Sequence, residues 1–172
     1  STSWARNEGG NWSVEEIAPS WNYGSTVEHR AGDFDDDGDV DVFRAASPED
    51  GLWTVTVLRN DEQAGDWAET SLGQLGAWSV GDLDGDGRAE VVARVDDELR
   101  WFVADDDLAL WPATPIPGPA AHETSLADVN GDDAPDVVVV AADGSLLWVA
   151  SELTWLGDDD DAADDDDSVD DD

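Results

Sequence analysis

A short acidic segment recurs three times in this chain of 172 residues, and its spacing constrains the fold more than any other feature. The copies are GDFDDDGDVDVFRA at 32–45, GDLDGDGRAEVVAR at 81–94 and ADVNGDDAPDVVVV at 127–140. Their first aspartates, Asp33, Asp82 and Asp128, lie 49 and 46 residues apart. Periods of roughly 40 to 50 residues are typical of stacked supersecondary units, including the blades of β-propellers. The chain is therefore predicted to be a repeat protein.

Segments of β type surround each acidic copy. An alternating segment such as Ala77-Trp78-Ser79-Val80 precedes it, and a Val-rich run and then a Trp-bearing run follow, which predicts strands. The Trp-bearing run occurs four times, and it aligns Trp4 with Val57, Trp101 and Trp148. Since the acidic segment occurs only three times, the array begins in mid-unit. We predict an all-β, propeller-like array with a half-unit at 1–20 and units at about 21–73, 74–119 and 120–157.

The C-terminal residues 158–172 differ in composition from the rest of the chain. They repeat four acids and two small residues, so that 11 of these 15 residues are Asp. Nothing apolar in this Asp-rich, low-complexity tail can form a core, and such composition is typical of a solvated, extended segment. We expect its carboxylates to bind cations or a cationic neighbour.

The acidic copies carry the pattern of a metal loop. Asp33, Asp35, Asp37 and Asp41 stand at positions 1, 3, 5 and 9, with Gly38 at position 6. A tight turn around a hard cation brings alternate side chains to one side, position 7 offers its carbonyl, and Gly permits the bend. The predicted ligand positions are Asp33, Asp35, Asp37, Asp39 and Asp41 in the first copy, Asp82, Asp84, Asp86, Arg88 and Glu90 in the second, and Asp128, Asn130, Asp132, Ala134 and Asp136 in the third.

Ligands that are all oxygen favour calcium over zinc or copper, and magnesium prefers a shell of water, so we expect about three Ca²⁺ ions. An EF-hand needs a bidentate Glu at position 12. This chain has Arg44, Ala93 and Val139 at that position, so the pattern is not that of an EF-hand. Asp133 replaces the position-6 Gly in the third copy, and Asp tolerates a left-handed conformation less readily. The simpler alternative is that Asp and Gly mark polar turns of a very acidic chain.

The three copies with their flanking strands resemble FG-GAP or VCBS repeats, the calcium-loop units of integrin α-subunit propellers and of many secreted microbial proteins. The resemblance covers about residues 20–156. It implies four-stranded antiparallel blades in which the calcium loop joins the first and second strands. Closed propellers carry typically four to eight blades, whereas this chain has three loops and a leading half-unit. Three arrangements would cover the open strand edges: a longer propeller of which this chain is a piece, a compact closure as an atypical small propeller, or contacts with other subunits. The N-terminal half-unit could pair with the last unit of the same chain or of a neighbour.

The charge balance excludes several classes of partner and chemistry. The 44 acidic residues stand against 7 Arg and no Lys, so the formal net charge is -37, and an anionic nucleic acid would be repelled. With no Cys and no Lys, the chain has no disulfide, thiolate site, Schiff base or P-loop. No apolar run approaches the ~20 residues that span a bilayer. Because position 1 is not Met, we expect that an upstream segment is removed, most simply an export signal.

The ten Trp residues have two interpretations. Those at equivalent repeat positions are expected to pack between blades, whereas Trp21, Trp111 and Trp155 fall near connections and are the better candidates for stacking on sugars. His29 and His122 precede acidic copies, and we interpret both as hydrogen-bonded strand residues. With no nucleophile elbow and no distinguishable carboxylate pair, we expect the protein not to be an enzyme, although a hydrolase stays an alternative.

These observations predict a secreted calcium-binding repeat protein with a structural or adhesive role, located outside the cell or on its surface. Loop-bound ions would fasten each strand junction. The expected partner is the protein itself, in a homo-oligomer, filament or surface layer formed through open blade edges and the acidic tail. A glycan or a cell-surface protein is the other candidate partner, and a lectin-type propeller module is the alternative function.

Overall fold

The structure of the protein, a computed structural model, describes residues 2–18, 26–47, 52–61 and 66–151. The described residues form thirteen strands and no helix. The strands are β1 (Thr2–Glu8), β2 (Asn11–Ala18), β3 (Thr26–Gly32), β4 (Asp41–Ser47), β5 (Trp53–Asp61), β6 (Asp66–Leu75), β7 (Trp78–Gly81), β8 (Glu90–Val95), β9 (Glu98–Phe102), β10 (Ala113–Ile116), β11 (Ala121–Ala127), β12 (Asp136–Ala141) and β13 (Leu146–Val149). The predicted tail at 158–172 lies outside the described residues.

Consecutive strands pair antiparallel and form four separate sheets. Strands β1 and β2 form the N-terminal hairpin, β3 to β6 the first blade, β7 to β10 the second blade, and β11 to β13 the third blade. The all-β repeat prediction is confirmed. Four strands are present in the first and second blades, and three in the described part of the third. Strand β6 continues to Leu75, beyond the unit end expected near residue 73.

The register of the three blades is the same. Phe43 pairs with Val57 in the first blade, and Val92 pairs with Trp101 in the second. Val138 pairs with Trp148 in the third. The alignment of Val57, Trp101 and Trp148 made on the sequence is therefore an alignment of structurally equivalent positions.

The core lies between successive blades. Phe43 and Val57 of the first blade pack in one cluster with Val91 and Ala93 of the second. Val92, the neighbour of Val91, belongs to a second cluster shared with the third blade, which includes Val137 and Val139. Adjacent residues of a strand point to opposite faces of the sheet, so the Val-rich run of the second blade belongs to a strand that is buried on both sides. In the third blade Val137 and Val139 are buried, whereas Val138 on the other face is only partly buried. Burying each such side chain stabilises the fold by about 1.5–3 kcal/mol.

The Trp residues depart from the expectations. Trp148 is 47% exposed and Trp12 is 67% exposed, so the expectation that Trp148 is a core residue is wrong. Trp111, a candidate for sugar stacking, instead packs on the first core cluster, with its ring 5.8 Å from that of Phe34. Its indole Nε1 donates a hydrogen bond to the Leu108 carbonyl at 3.2 Å. The other two candidates, Trp21 and Trp155, lie outside the described residues.

The N-terminal hairpin is connected to the first blade through His29. A hydrogen bond of 3.0 Å joins His29 Nε2 to Thr2 Oγ1. Burial, together with the positive charge of Arg44, lowers the pKa of His29 below its ordinary value. His29 is thus a hydrogen-bonded strand residue, as we interpreted it from the sequence.

Among the residues that the structure describes, none forms a helix that could span a membrane.

Candidate metal centre

Each acidic copy forms the connection between the first and second strands of a blade. Loop 1 comprises residues 33–40 between β3 and β4, loop 2 residues 82–89 between β7 and β8, and loop 3 residues 128–135 between β11 and β12. The loops therefore lie at the same end of their blades, where the resemblance placed them.

The first aspartate of each loop holds the turn by accepting two backbone hydrogen bonds. In loop 1, Asp33 Oδ1 accepts from Asp36 N at 2.7 Å, and Oδ2 accepts from Gly38 N at 3.0 Å. The same two bonds recur in the other loops, from Gly85 (2.7 Å) and Gly87 (3.1 Å) to Asp82, and from Gly131 (2.6 Å) and Asp133 (3.2 Å) to Asp128. Such side-chain to backbone bonds are what Asp contributes to turns.

The residue at position 5 adds one more bond of this kind. Its Oδ1 accepts from the N–H of position 7 in all three loops, and the pairs are Asp37 with Asp39 (2.8 Å), Asp86 with Arg88 (2.8 Å) and Asp132 with Ala134 (3.0 Å). Position 7 therefore has a structural role through its backbone N–H, whatever side chain it carries. The three loops share one backbone design.

Two positions in each loop are left-handed. Position 4 has φ of 61° at Asp36, 77° at Gly85 and 82° at Gly131, and position 6 has φ of 86° at Gly38, 98° at Gly87 and 68° at Asp133. Asp133 thus adopts the conformation of the Gly that it replaces. The sequence indicated the requirement at position 6, but the one at position 4 was missed, because Asp36 hides it in loop 1.

Position 9 divides the loops into two kinds. In loop 1, Asp41 Oδ2 accepts from Phe34 N at 3.0 Å and Oδ1 from Asn60 N at 2.8 Å. In loop 3, Asp136 likewise accepts from Val129 N (2.9 Å) and Ser151 N (3.1 Å). One oxygen of each aspartate therefore binds the backbone at position 2 of its own loop. The other oxygen binds the backbone at the end of the blade's third strand.

Glu90, at position 9 of loop 2, behaves differently. Its Oε2 accepts from Leu83 N at 2.6 Å, the bond that position 9 makes in every loop. Its Oε1 is buried and has no hydrogen-bond partner. Only 1% of the residue is exposed, so bulk water cannot replace that partner. A buried carboxylate oxygen without a partner is costly, and a cation bound at this atom would remove that cost.

Two loops bring their carboxylates together. In loop 2, one oxygen of each of Asp82, Asp84, Asp86 and Glu90 lies within 4.8 Å of the others, and in loop 1 the same holds for Asp33, Asp35 and Asp37. Among the described residues these are the two groups of three or more His, Cys, Asp or Glu side chains that converge in this way. The three carboxylates predicted in loop 3 are not such a group, and its Asn130 donates Nδ2 to Asp132 Oδ2 at 2.8 Å.

Burial and mutual repulsion raise the pKa values of several carboxyl groups in loops 1 and 2. Burial raises the pKa of Glu90 to about 8, and the charges of Asp84, Asp86 and Asp82 add to the shift, while the Leu83 N–H opposes it. Burial likewise raises the pKa of Asp41 to about 6, against the hydrogen bonds from Asn60 and Phe34. The pKa values of Asp35 and Asp84 are also raised, first by burial. A divalent cation would reverse this penalty by pairing with the ionised forms.

The donor set fits a hard divalent cation. All converging atoms are carboxylate oxygens, the preferred ligands of calcium. Glu90 Oε1 and both oxygens of Asp35 are buried and accept no hydrogen bond. Loops 1 and 2 could therefore hold a metal ion through these seven converging carboxylates, whereas Asp39, Asp41 and Arg88 are not among the converging groups.

The family comparison agrees with this geometry. The model of the FG-GAP-like repeat matches residues 33–93 and 82–139, which together cover more than half of the chain. The chain belongs to the FG-GAP-like repeat family. Each match begins at the first aspartate of a loop and ends in the second strand of the following blade, so it contains two successive loops. A search of curated proteins finds no match.

Neighbouring FG-GAP-like repeats are joined at their loops. Ala89 N donates to the Asp33 carbonyl at 2.6 Å, which connects loops 1 and 2 directly. Arg88 reaches Asp36 of loop 1 at 3.6 Å and Asp106 at 3.0 Å. Loops 1 and 2 are therefore in direct contact with each other.

A second arginine, Arg59, contacts loop 1 from the end of β5. Arg59 Nε lies 3.0 Å from Asp35 Oδ2. Reasoning from the loops alone missed Arg59, because it stands at the end of β5, more than twenty residues beyond Asp35. The signal that could have found it is the repeat alignment, in which the other two units that carry an acidic loop have Val103 and Ala150 at this position.

Proposed function

We propose that the protein is a secreted calcium-binding repeat protein with a structural or adhesive role at the cell exterior. The observation that carries the proposal is loop 2, where four carboxylates converge and the buried Glu90 Oε1 has no partner. A bound Ca²⁺ would neutralise this cluster and hold the turn between β7 and β8. We propose a binding and structural role and no enzymatic one.

Calcium should therefore act as a stabilising ligand of the folded state. Each site stabilises by about 2.7 kcal/mol when free Ca²⁺ is 100 times its Kd, which corresponds to a rise in Tm of roughly 5 to 11 °C for a chain of this size. Thermal melts with Ca²⁺ and with chelator measure this difference. Magnesium at the same concentration is the control, and we expect it to raise Tm less. Equal melting curves with Ca²⁺ and with chelator would contradict the proposal.

The terminal sheets have exposed apolar faces that suit contact between copies. Val137 and Val139 of β12 pack toward the second blade, so Val138 and its partner Trp148 lie on the opposite face, where Trp148 is 47% exposed. On the hairpin, Trp12 and Val14 of β2 are exposed. In the described part of the chain, the first blade packs on the second and the second on the third. We propose that the hairpin face of one copy packs on the third-blade face of another, which would build a filament or layer.

This assembly has a matched test. Trp12→Ser and Trp148→Ser should each shift the protein toward monomer in sizing experiments with Ca²⁺, and polymers should disappear from electron micrographs. Leu110→Ser is the control, because Leu110 is equally exposed but lies on the loop after β9. If the unsubstituted protein is monomeric in Ca²⁺ and forms no polymer, self-assembly is wrong.

A lectin-type module is the second candidate, and the exposed indoles of Trp12 and Trp148 favour it, since exposed aromatic rings can stack on sugars. Binding to a glycan array that is lost in Trp12→Ser or Trp148→Ser, with an unchanged Tm, would support this function. The secreted location is tested separately, by assaying the culture medium and the cell surface for the protein.

A further inference from the structure

Arg59 enters loop 1 from the end of β5. Its Nε lies 3.0 Å from Asp35 Oδ2, and the Asp35 side chain has no exposed area, while 24% of the Arg59 side chain is exposed. The contact lacks the alignment of a hydrogen bond, and neither Asp35 oxygen accepts one. Arg59 Nη1 also donates to the Asp107 carbonyl at 3.3 Å. A fixed positive charge therefore stands beside a predicted ligand of loop 1.

The other two blades have no such charge at the equivalent position. Leu58 pairs with Val42, Phe102 with Val91, and Val149 with Val137. The residue after each of Leu58, Phe102 and Val149 is therefore equivalent, and these residues are Arg59, Val103 and Ala150. In loop 2 the neighbouring arginine, Arg88, lies 4.0 Å from Asp86 and is directed to the exposed Asp106 at 3.0 Å.

We propose that Arg59 is a tethered counter-ion of loop 1, which competes with the divalent cation for Asp35 and gives loop 1 a lower calcium affinity than loop 2. This inference rests on the proposed function, in which both loops bind Ca²⁺. Arg59 is a positioning residue that acts through Asp35 and touches no ion.

The physical reason is that one carboxylate cannot serve two cations fully. In the metal-free protein Arg59 offsets the charge of Asp35, whose pKa is raised by burial and by repulsion from Asp37. When Ca²⁺ takes Asp35 as a ligand, it must weaken this ion pair and places a second positive charge near a half-buried guanidinium. In loop 2 this cost is smaller, because Arg88 lies 4.0 Å from Asp86 and its closer carboxylate is Asp106 outside the loop. Glu90 also gives loop 2 a fourth carboxylate oxygen.

The test replaces Arg59 by the residue that the second blade has there. Titration calorimetry with CaCl₂ is done on Glu90→Gln, which leaves loop 1 as the stronger site, and on Glu90→Gln with Arg59→Val. We expect Arg59→Val to bind Ca²⁺ about tenfold or more tightly, and to melt at a lower temperature in chelator. Tighter binding together with a less stable metal-free state is the result that a merely structural arginine would not give.

Arg100→Val is the matched control. Arg100 lies on β9, away from the loops, and pairs with the exposed Glu98 at 2.8 Å, so its loss changes the net charge equally. Calcium affinity should change much less in this control. Arg59→Gln, which keeps most of the side chain, replaces Arg59→Val if the latter does not fold in chelator, and we expect the same direction of change.

The outcomes separate the inference from the proposed function. If the unsubstituted protein binds no Ca²⁺, both are overturned. If it binds Ca²⁺ but Arg59→Val and Arg100→Val have the same affinity, the role of Arg59 alone is overturned. Weaker binding in Arg59→Val would show that Arg59 supports the ligands of loop 1 and does not compete for them.

Discussion

Loops 2 and 3 fold around the same backbone hydrogen bonds, yet their carboxylates are arranged differently. In both, the first aspartate accepts from positions 4 and 6. In loop 2 Glu90 keeps one free oxygen beside three aspartates, whereas in loop 3 both oxygens of Asp136 accept backbone hydrogen bonds. The turn is thus formed by Asp and Gly in the loop alone. We therefore expect the affinity of each loop for an ion to depend on the length of the carboxylate side chain at position 9 and on the residue at position 3.

The largest expected effect is on the pH dependence of the metal-free protein. Glu90 has an ordinary pKa of 4.5 and a folded pKa of about 8, so its contribution to stability is present below about pH 4.5 and lost as pH rises through 8. We expect stability to fall by an amount on the order of a few kcal/mol over this range. Asp41, whose pKa is raised from 3.8 to about 6, contributes to the same loss of stability as the pH rises from about 4 to 6. Urea unfolding in chelator at several pH values measures it.

The matched protein for this titration is Glu90→Gln, in which the fall between pH 6 and 8 should be smaller. Calcium should reverse the trend, because it binds the ionised Glu90 and releases a proton near neutral pH. Calorimetry in buffers of different ionisation enthalpy counts the released protons. A slope unchanged by Glu90→Gln would show that other carboxyls cause the pH dependence.

Glu90→Gln also distinguishes the loops in their response to calcium. The amide oxygen of Gln can still accept from Leu83 N, but the fourth negative charge of the cluster is lost. We expect loss of most of the stabilisation from loop 2, about 2.7 kcal/mol at free Ca²⁺ 100 times Kd. In chelator at pH 8 the variant should be more stable than the unsubstituted protein. Asp97→Asn, in an exposed turn, is the control and should change neither quantity.

Asp41→Asn and Asp136→Asn test the fastening role of position 9 in loops 1 and 3. An amide has one acceptor oxygen for the two N–H groups, which are buried at Asp41 and partly buried at Asp136, so each substitution should cost about 1–3 kcal/mol. This loss should be the same with Ca²⁺ and with chelator, as measured by urea unfolding. A loss of calcium affinity in Asp41→Asn would instead make Asp41 a ligand, as its spacing predicted.

The smallest effect is expected at position 6 of loop 3. Asp133 has φ of 68°, where Gly has no steric cost but loses more entropy on folding. Asp133→Gly should therefore stabilise the protein by less than about 1 kcal/mol. Asp97→Gly, at a position without positive φ, should destabilise it by about 0.5–1 kcal/mol. If Asp133→Gly destabilises as much as the control, the side chain of Asp133 has a role of its own.

Much of the repeat architecture was predictable from local patterns. The loops, the strands on both sides of them and the equivalence of Val57, Trp101 and Trp148 follow from self-similarity and period-2 alternation, and the register confirms them. Seven carboxylates of the predicted ligand set converge, four in loop 2 and three in loop 1. These are short-range features, since a turn of eight residues places its own side chains.

The parts that the sequence did not predict depend on distant contacts. Asp41 accepts a hydrogen bond from Asn60 N, and Asp35 forms an ion pair with Arg59. Asn60 and Arg59 both lie at the end of the third strand of the first blade. The exposure of Trp148 depends on what covers the third blade, while the equivalent Val57 is fully buried. Equivalent positions in successive repeats thus have different environments.

By itself, the amino-acid sequence determined the period, the β-strands and the acidic turns, because hydrophobic alternation and Asp-to-backbone bonds act within a few residues. Only the tertiary structure decided which carboxylates are available to an ion. Burial of Glu90, the two backbone bonds of Asp41 and the ion pair of Asp35 arise where a loop meets other strands. Those contacts set the charge and the free oxygen atoms of each site, and loop spacing alone carries no information about them.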